Sequence, residues 1–194
     1  MKIGLFFGSF NPVHTGHLII GSYMADYTEL DEIWYVVSPQ NPFKQNDELL
    51  HEQTRIELLK LAIADDIRFK ASDIEFDLPR PSYTADTLQA LRNENPQHTF
   101  TLIIGGDNLK SFHKWKNYSD ILLHHDVYVY ARIGIVERPL LANHPKIKMF
   151  EVPLLNISST YIRETLQEGK SIRYMLPEPV RKEIEEKGYY KLQV

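Results

Sequence analysis

An α/β architecture on an open, mainly parallel sheet is what this 194-residue sequence predicts. Three observations predict it. Short apolar runs rich in β-branched and aromatic residues recur at residues 3–7, 33–37, 100–104 and 127–131. Between most of them lie longer stretches whose apolar residues return every three or four positions, the period of a helix buried on one side. The first, second and third of these runs end at Gly8, at Ser38-Pro39 and at Gly105-Gly106, residues that stop a strand and start a turn. Strands separated by helices imply βαβ units, right-handed crossovers, and ligands held beyond the carboxyl ends of the strands.

Taken in order, the strand at 3–7 leads through a glycine-rich turn to a helix at about 15–28. A second strand at 33–37 closes at Ser38-Pro39 and opens a polar loop from Asn41 to Asp47. Ile56, Leu59 and Ile63 share one face of a helix over 48–64, and a short third strand follows at 67–71. Leu78-Pro79-Arg80-Pro81-Ser82 is a stiff break before a helix at 83–92, where Ala85, Leu88 and Leu91 align. Strands at 100–104, 127–131 and 147–152 and helices at 159–168 and 178–186 complete the chain. The length suits a single domain over 1–194, with no internal repeat and no separating linker.

Composition narrows the function classes. Hydrophobic residues make up 43% of the chain, enough for a sizeable core, and the net charge is −4 from 22 basic and 26 acidic residues. No global field attracts nucleic acid or an anionic membrane, so an anionic ligand must be held by local positive groups. The absence of cysteine excludes disulfides, thiolate metal sites and cysteine nucleophiles. The first residues lack a secretory pattern and no apolar run reaches membrane-spanning length, so a cytoplasmic protein is expected.

The chemistry centres on Gly8-Ser9-Phe10-Asn11-Pro12-Val13-His14-Thr15-Gly16-His17. A strand-to-helix turn presents free backbone N–H groups and the positive end of a helix dipole, which suits phosphate. Gly8 would let a phosphate approach the backbone, and Asn11-Pro12 makes the turn. His14 and His17, three apart at a helix start, fall on roughly one side and can donate to the same phosphate chain. The turn has no Gly-Lys-Ser/Thr ending, and its glycines do not fit the dinucleotide fingerprint. A metal pair is the competing use of two histidines, with neither cysteine nor an HExxH pattern to support it.

Other candidates lie along the chain. Lys44 sits in the loop after the second strand, able to reach a phosphate or simply solvated. Gly105-Gly106-Asp107 follows a strand; Asp107 could accept from a ribose hydroxyl or cap a helix. Ser158 or Ser159 should cap a helix that carries Arg163 one turn on, a clamp for outer phosphates or an ordinary capped helix. Tyr83-Thr84 and Trp115-Lys116 suit a flat ring bearing a carboxylate, with core packing and helix capping as the plain alternatives.

The decapeptide resembles the (T/S)-F-(D/N)-P-x-H-x-G-H signature of the nucleotidyltransferase superfamily, whose histidines contact the triphosphate. Ile157 to Arg163 resembles its second signature, S-S-T-x-I-R. Pro-Ser-Tyr-Thr-x-Asp-Thr at 81–87, Ile-Ile-Gly-x-Asp at 103–107, Lys114-Trp115, and the closing Ile-Glu-Glu-Lys-Gly-Tyr-Tyr at 184–190 are similar to the bacterial nicotinate-nucleotide adenylyltransferases. The resemblance implies a Rossmann-like, doubly wound sheet with a small C-terminal helical part at about 157–194. It implies transfer of AMP from ATP to nicotinate mononucleotide, with Mg²⁺ carried mainly by the phosphates and no metal held by the protein. His14, His17, Lys44 and Arg163 would be catalytic. Gly8, Ser9, Phe10, Gly105, Asp107, Ser158 and Ser159 would join His14, His17 and Arg163 around ATP. Ser9, Lys44, Tyr83, Thr84, Trp115 and Lys116 would hold the mononucleotide. Neither nucleic acid nor membrane is expected as a partner, and a homo-oligomer stays open.

Phe7 stands where the family commonly has glycine, and Ser9 and Asn11 where it has Thr and Asp. Residues 132–148 match the family least. Two readings compete: an adenylyltransferase for nicotinamide mononucleotide or phosphopantetheine, and a module that senses nucleotide without turnover. Class I aminoacyl-tRNA synthetases share a related turn, but the chain lacks their Lys-Met-Ser-Lys-Ser loop.

Overall fold

The computed structural model describes residues 1–39, 49–131, 141–153 and 155–191. Among these, six strands form one sheet: β1 (Lys2–Gly8), β2 (Glu32–Val37), β3 (Phe69–Ser72), β4 (Thr99–Gly105), β5 (Asp126–Ala131) and β6 (Ile147–Glu151). Their order is β3-β2-β1-β4-β5-β6, and every neighbouring pair is parallel. The helices are α1 (Thr15–Tyr27), α2 (Glu52–Ile63), α3 (Thr84–Glu94), α4 (Gly106–Ser111), α5 (Tyr118–His124), α6 (Ser159–Gln167) and α7 (Glu178–Lys187). This is the Rossmann-like, doubly wound arrangement that the sequence predicts.

The alternation of side chains along each strand divides the core in two. Ile3, Leu5, Leu102, Ile104, Val127 and Val129 face Leu88 and Leu91 of α3, Leu109 of α4 and Ile121 of α5. Phe6, Ile33, Tyr35, Ile103 and Tyr128 face the opposite way, onto Ile20 and Met24 of α1, Ile56 and Leu59 of α2, Ile162 of α6 and Ile184 of α7. The two C-terminal helices therefore share a core with the first two, which brings the end of the chain to the β1–α1 turn.

Strand order reverses between β1 and β4. From β1 the chain winds outward to β2 and β3, then returns to β4 on the other side of β1 and winds outward again. The connections leaving Gly8 and Gly105 diverge there, and a crevice opens beyond the two carboxyl ends.

The strands and the long helices fall where the sequence places them, within a few residues. Helix α2 begins at Glu52 rather than 48, with His51 as its N-cap and the His51 ring accepting from the Gln53 amide. Helix α5 is not anticipated, and α4 enters the sequence reading only as the alternative in which Asp107 caps a helix. They are six and seven residues long, joined by a 3₁₀ turn at Phe112–Lys114, and too short to display a helical period. No described helix is long and apolar enough to cross a membrane.

Candidate active site

The β1–α1 turn is tied to distant parts of the chain through its carbonyl groups. The Arg55 guanidinium, fully buried on α2, donates to the Ser9 carbonyl and to those of Ser38 (2.8 Å), Pro39 (3.1 Å) and Leu50 (2.8 Å). Arg163 of α6 donates to the Asn11 carbonyl at 2.9 Å, and the Ser159 hydroxyl to that of Pro12 at 2.9 Å. The Asn11 side-chain oxygen accepts from the Leu50 amide (3.2 Å) and from the Tyr190 hydroxyl (2.8 Å). Thr15 donates both its amide and its hydroxyl to the Met175 carbonyl at 3.0 Å. The early and late signatures thus meet, but the late one grips the turn itself. Ser158 is the N-cap of α6, as expected, and its hydroxyl is engaged by the Tyr161 amide at 3.1 Å.

The backbone of Phe10 is left-handed, with φ of 44°, and its ring is buried against Phe6, Tyr35 and His17. The side chain is a core ring; only the backbone could serve a ligand. A Cβ on Gly8 would lie 2.9 Å from that ring, so the room that glycine leaves is already filled by Phe10. Gly105 likewise accommodates Tyr130, whose ring lies 3.2 Å from where a Cβ would stand.

His14 is the N-cap of α1 and His17 lies in its first turn. Their rings stack, with centroids 3.7 Å apart and planes 26° from parallel. The His14 amide donates to Nδ1 of His17 at 3.2 Å, so a neutral His17 carries its proton on Nε2 and is a donor there. Burial pushes the His14 imidazole down to about 4, and its Nδ1 is buried without a hydrogen-bond partner. With His14 held neutral at pH 7 by burial, the two stacked rings need not carry charge against each other to face a polyanion as donors.

Beyond the carboxyl ends of β1 and β4 lies a cavity of about 620 Å³. Gly8, Gly105, Tyr83, Thr84, Trp115 and Lys116 all line it, whereas Ser9, His14, His17 and Arg163 are outside its lining. Tyr83 is the N-cap of α3 and Thr84 its first residue, so the helix presents its positive end there. Trp115 packs on Phe112 with centroids 5.1 Å apart while facing the cavity. Lys116 pairs with Asp86 at 2.8 Å and lies 4.6 Å from the Tyr83 ring centroid.

The sequence misses several lining groups, chief among them Glu75. This buried carboxylate accepts from Ser82 (2.9 Å) and Thr87 (2.7 Å), fixing the entry to α3. Asp107 is not drawn in. Gly105, not Asp107, is the N-cap of α4, and the Asp107 side chain is fully exposed and outside the cavity lining. Lys44 lies outside the described residues. Among those described, no three acidic or histidine side chains converge on a metal position.

The family described as cytidylyltransferase-like matches residues 5–165 of this chain. The chain is 54% identical over 190 residues to a protein of Cytophaga hutchinsonii named "Probable nicotinate-nucleotide adenylyltransferase", covering 98% of each. The chain belongs to the cytidylyltransferase-like family, among the nicotinate-nucleotide adenylyltransferases. A relative of the same name in Bacteroides fragilis is 45% identical, over 94% of this chain and 90% of its own length. The fold of this adenylyltransferase also matches that of nicotinic acid mononucleotide adenylyltransferase from Plasmodium falciparum, with a TM-score of 0.80 over 97% of both chains at 20% identity.

Desolvation of His14 makes a pH prediction. The folded protein refuses a proton on this ring until about pH 4, whereas the unfolded chain accepts it near 6.5. Stability is therefore full above about pH 6.5 and falls as the pH drops toward 4, by up to about 3 kcal/mol. Urea unfolding of the wild type and of His14→Asn, which keeps a capping residue, should show the wild type losing that much more stability between pH 7 and 4. A pH-independent difference between the two would contradict it.

Proposed function

We propose that this chain transfers AMP from ATP to nicotinate mononucleotide, forming the deamido dinucleotide precursor of NAD and releasing pyrophosphate. The observation that carries the reading is one cavity in which Trp115, Lys116 and the start of α3 at Tyr83-Thr84 face Gly8 and Gly105 at the sheet's reversal point. A flat pyridine ring fits Trp115, and its carboxylate fits the positive end of a helix.

The attacking phosphate of the mononucleotide loses its second proton near pH 6, so at neutral pH it needs no general base. The chain's work is then to align two polyanions and to stabilise charge growing on the α-phosphoryl group and on the leaving pyrophosphate, without a covalent intermediate. His17 donates from Nε2, His14 from beside it, and the first-turn amides of α1 and α6 present positive ends toward the triphosphate. Arg163 and Ser159 hold the turn in place, and Arg163 brings positive charge beneath it. Ser9 offers a hydroxyl between the two substrates, and Lys44, on sequence grounds, adds a cation from the loop after β2. Mg²⁺ carried by the nucleotide would neutralise charge on its phosphates.

Pyrophosphate release, measured with ATP and each acceptor in turn, tests the reading: nicotinate mononucleotide should give the highest kcat/KM, ahead of nicotinamide mononucleotide and phosphopantetheine. ATP binding with no turnover on any acceptor would instead support a sensing module. His17→Ala should lower kcat by roughly 10²–10³ in a folded protein. Trp115→Ala should raise KM for the mononucleotide and leave KM for ATP unchanged; equal changes in both would place Trp115 outside the acceptor site.

A further inference from the structure

We propose that Tyr190, in the C-terminal tail, is a positioning residue for the phosphate-binding turn, so that the tail sets catalysis at the opposite end of the chain. The inference rests on the adenylyl-transfer reading and adds to it a residue that touches no substrate.

Tyr190 follows α7, and its hydroxyl crosses to donate to the Asn11 side-chain oxygen at 2.8 Å, 179 residues away in sequence. The same oxygen accepts from the Leu50 amide. Two donors on one amide oxygen fix the orientation of Asn11, three residues before His14. Both ends of the contact region carry backbone strain: Tyr190 itself has φ of 64°, and Phe10, the neighbour of Asn11, has φ of 44°. Bulky residues leave the left-handed region unless the surroundings hold them there, and such strain gathers where a geometry is being imposed. The phenol is partly buried, with its titration pushed up by desolvation against the opposing pull of the Arg163 and Arg55 guanidinia, so it remains an O–H donor throughout the working pH range. Those arginines are the two that hold the Ser9 and Asn11 carbonyls. Asn11, Arg55, Arg163 and Tyr190 therefore form one polar cluster beneath the turn, to which the tail contributes Tyr190. The tyrosine ring packs into the core shared by α1, α2, α6 and α7, so removing the hydroxyl alone leaves the packing in place.

An error of about 1 Å in the position of catalytic groups costs up to 10²-fold in rate. The test is steady-state kinetics of pyrophosphate release by the full chain, wild type against Tyr190→Phe, with Tyr189→Phe as a neighbouring control. Tyr190→Phe should lower kcat/KM for ATP roughly tenfold, the factor expected from losing about one buried hydrogen bond at the turn. KM for the mononucleotide should stay within about twofold, and Tyr189→Phe should match the wild type. A thermal shift without any kinetic change in Tyr190→Phe would make the residue merely structural and overturn the proposal. So would equal rises in KM for both substrates. A wild type that turns over no acceptor would instead overturn the adenylyl-transfer reading. In that case the affinity of ATP for wild type and Tyr190→Phe, measured by calorimetry, still decides the inference: a weaker Kd supports it and an equal Kd overturns it.

Discussion

A turn that is to offer its amides to an anion must have its carbonyls satisfied from somewhere else. Buried carbonyls without donors cost about 1–3 kcal/mol each. This chain meets the requirement with side chains from across the fold: Arg55 at Ser9, Arg163 at Asn11 and Ser159 at Pro12. Arg55 donates to four carbonyls, one in the turn, two just after β2 and one just before α2, so a single side chain fastens the β1–α1 turn to the edges of the next crossover. Guanidinium is the group for such a task, since its planar fork reaches several acceptors while its charge persists on burial. The charge also lies under the turn proposed to hold phosphate, where positive potential would favour that ligand.

The same logic explains why the C-terminal helices belong to the catalytic unit. α6 and α7 pack on the core of α1 and α2, and this packing delivers Ser159, Arg163, Met175 and Tyr190 to the turn. The glycines play a matching part. Gly8 makes room for Phe10, Gly16 for the His14 ring and Gly105 for Tyr130, so aromatic rings lie tight against the backbone where the sheet reverses. Glycine here shapes the protein around its own rings first, and the ligand site is what those rings leave open.

Much of this was legible in the sequence. Local patterns carried it: β-branched runs for the strands, a helical period for α2 and α3, and Ser158 as the cap of α6. That His14 and His17 fall on one side followed from their spacing once the helix began at Thr15, whereas the stacking of their rings is seen only in the structure. What was illegible depends on partners far away in the chain. Nothing local reveals that the Phe10 ring turns inward onto Phe6 and Tyr35. Glu75 and Tyr190 carry no local pattern, since their roles exist only through Ser82 and Thr87 in one case and Asn11 in the other. Arg55 did leave a trace: it precedes Leu58 and Leu59 by three and four positions, an arginine on an apolar stripe, which asks for buried acceptors. Helices α4 and α5 were too short to show a period.

The account stands on the geometry of the Arg55 fork rather than on its charge alone, and Arg55→Lys separates the two. Lysine keeps the charge but cannot span four carbonyls held by Nε, Nη1 and Nη2. Unfolding free energy and ATP affinity, measured on the same preparation, should both suffer: a loss of at least about 2 kcal/mol in stability together with weaker ATP binding. An Arg55→Lys protein within about 0.5 kcal/mol of the wild type, binding ATP equally well, would contradict it.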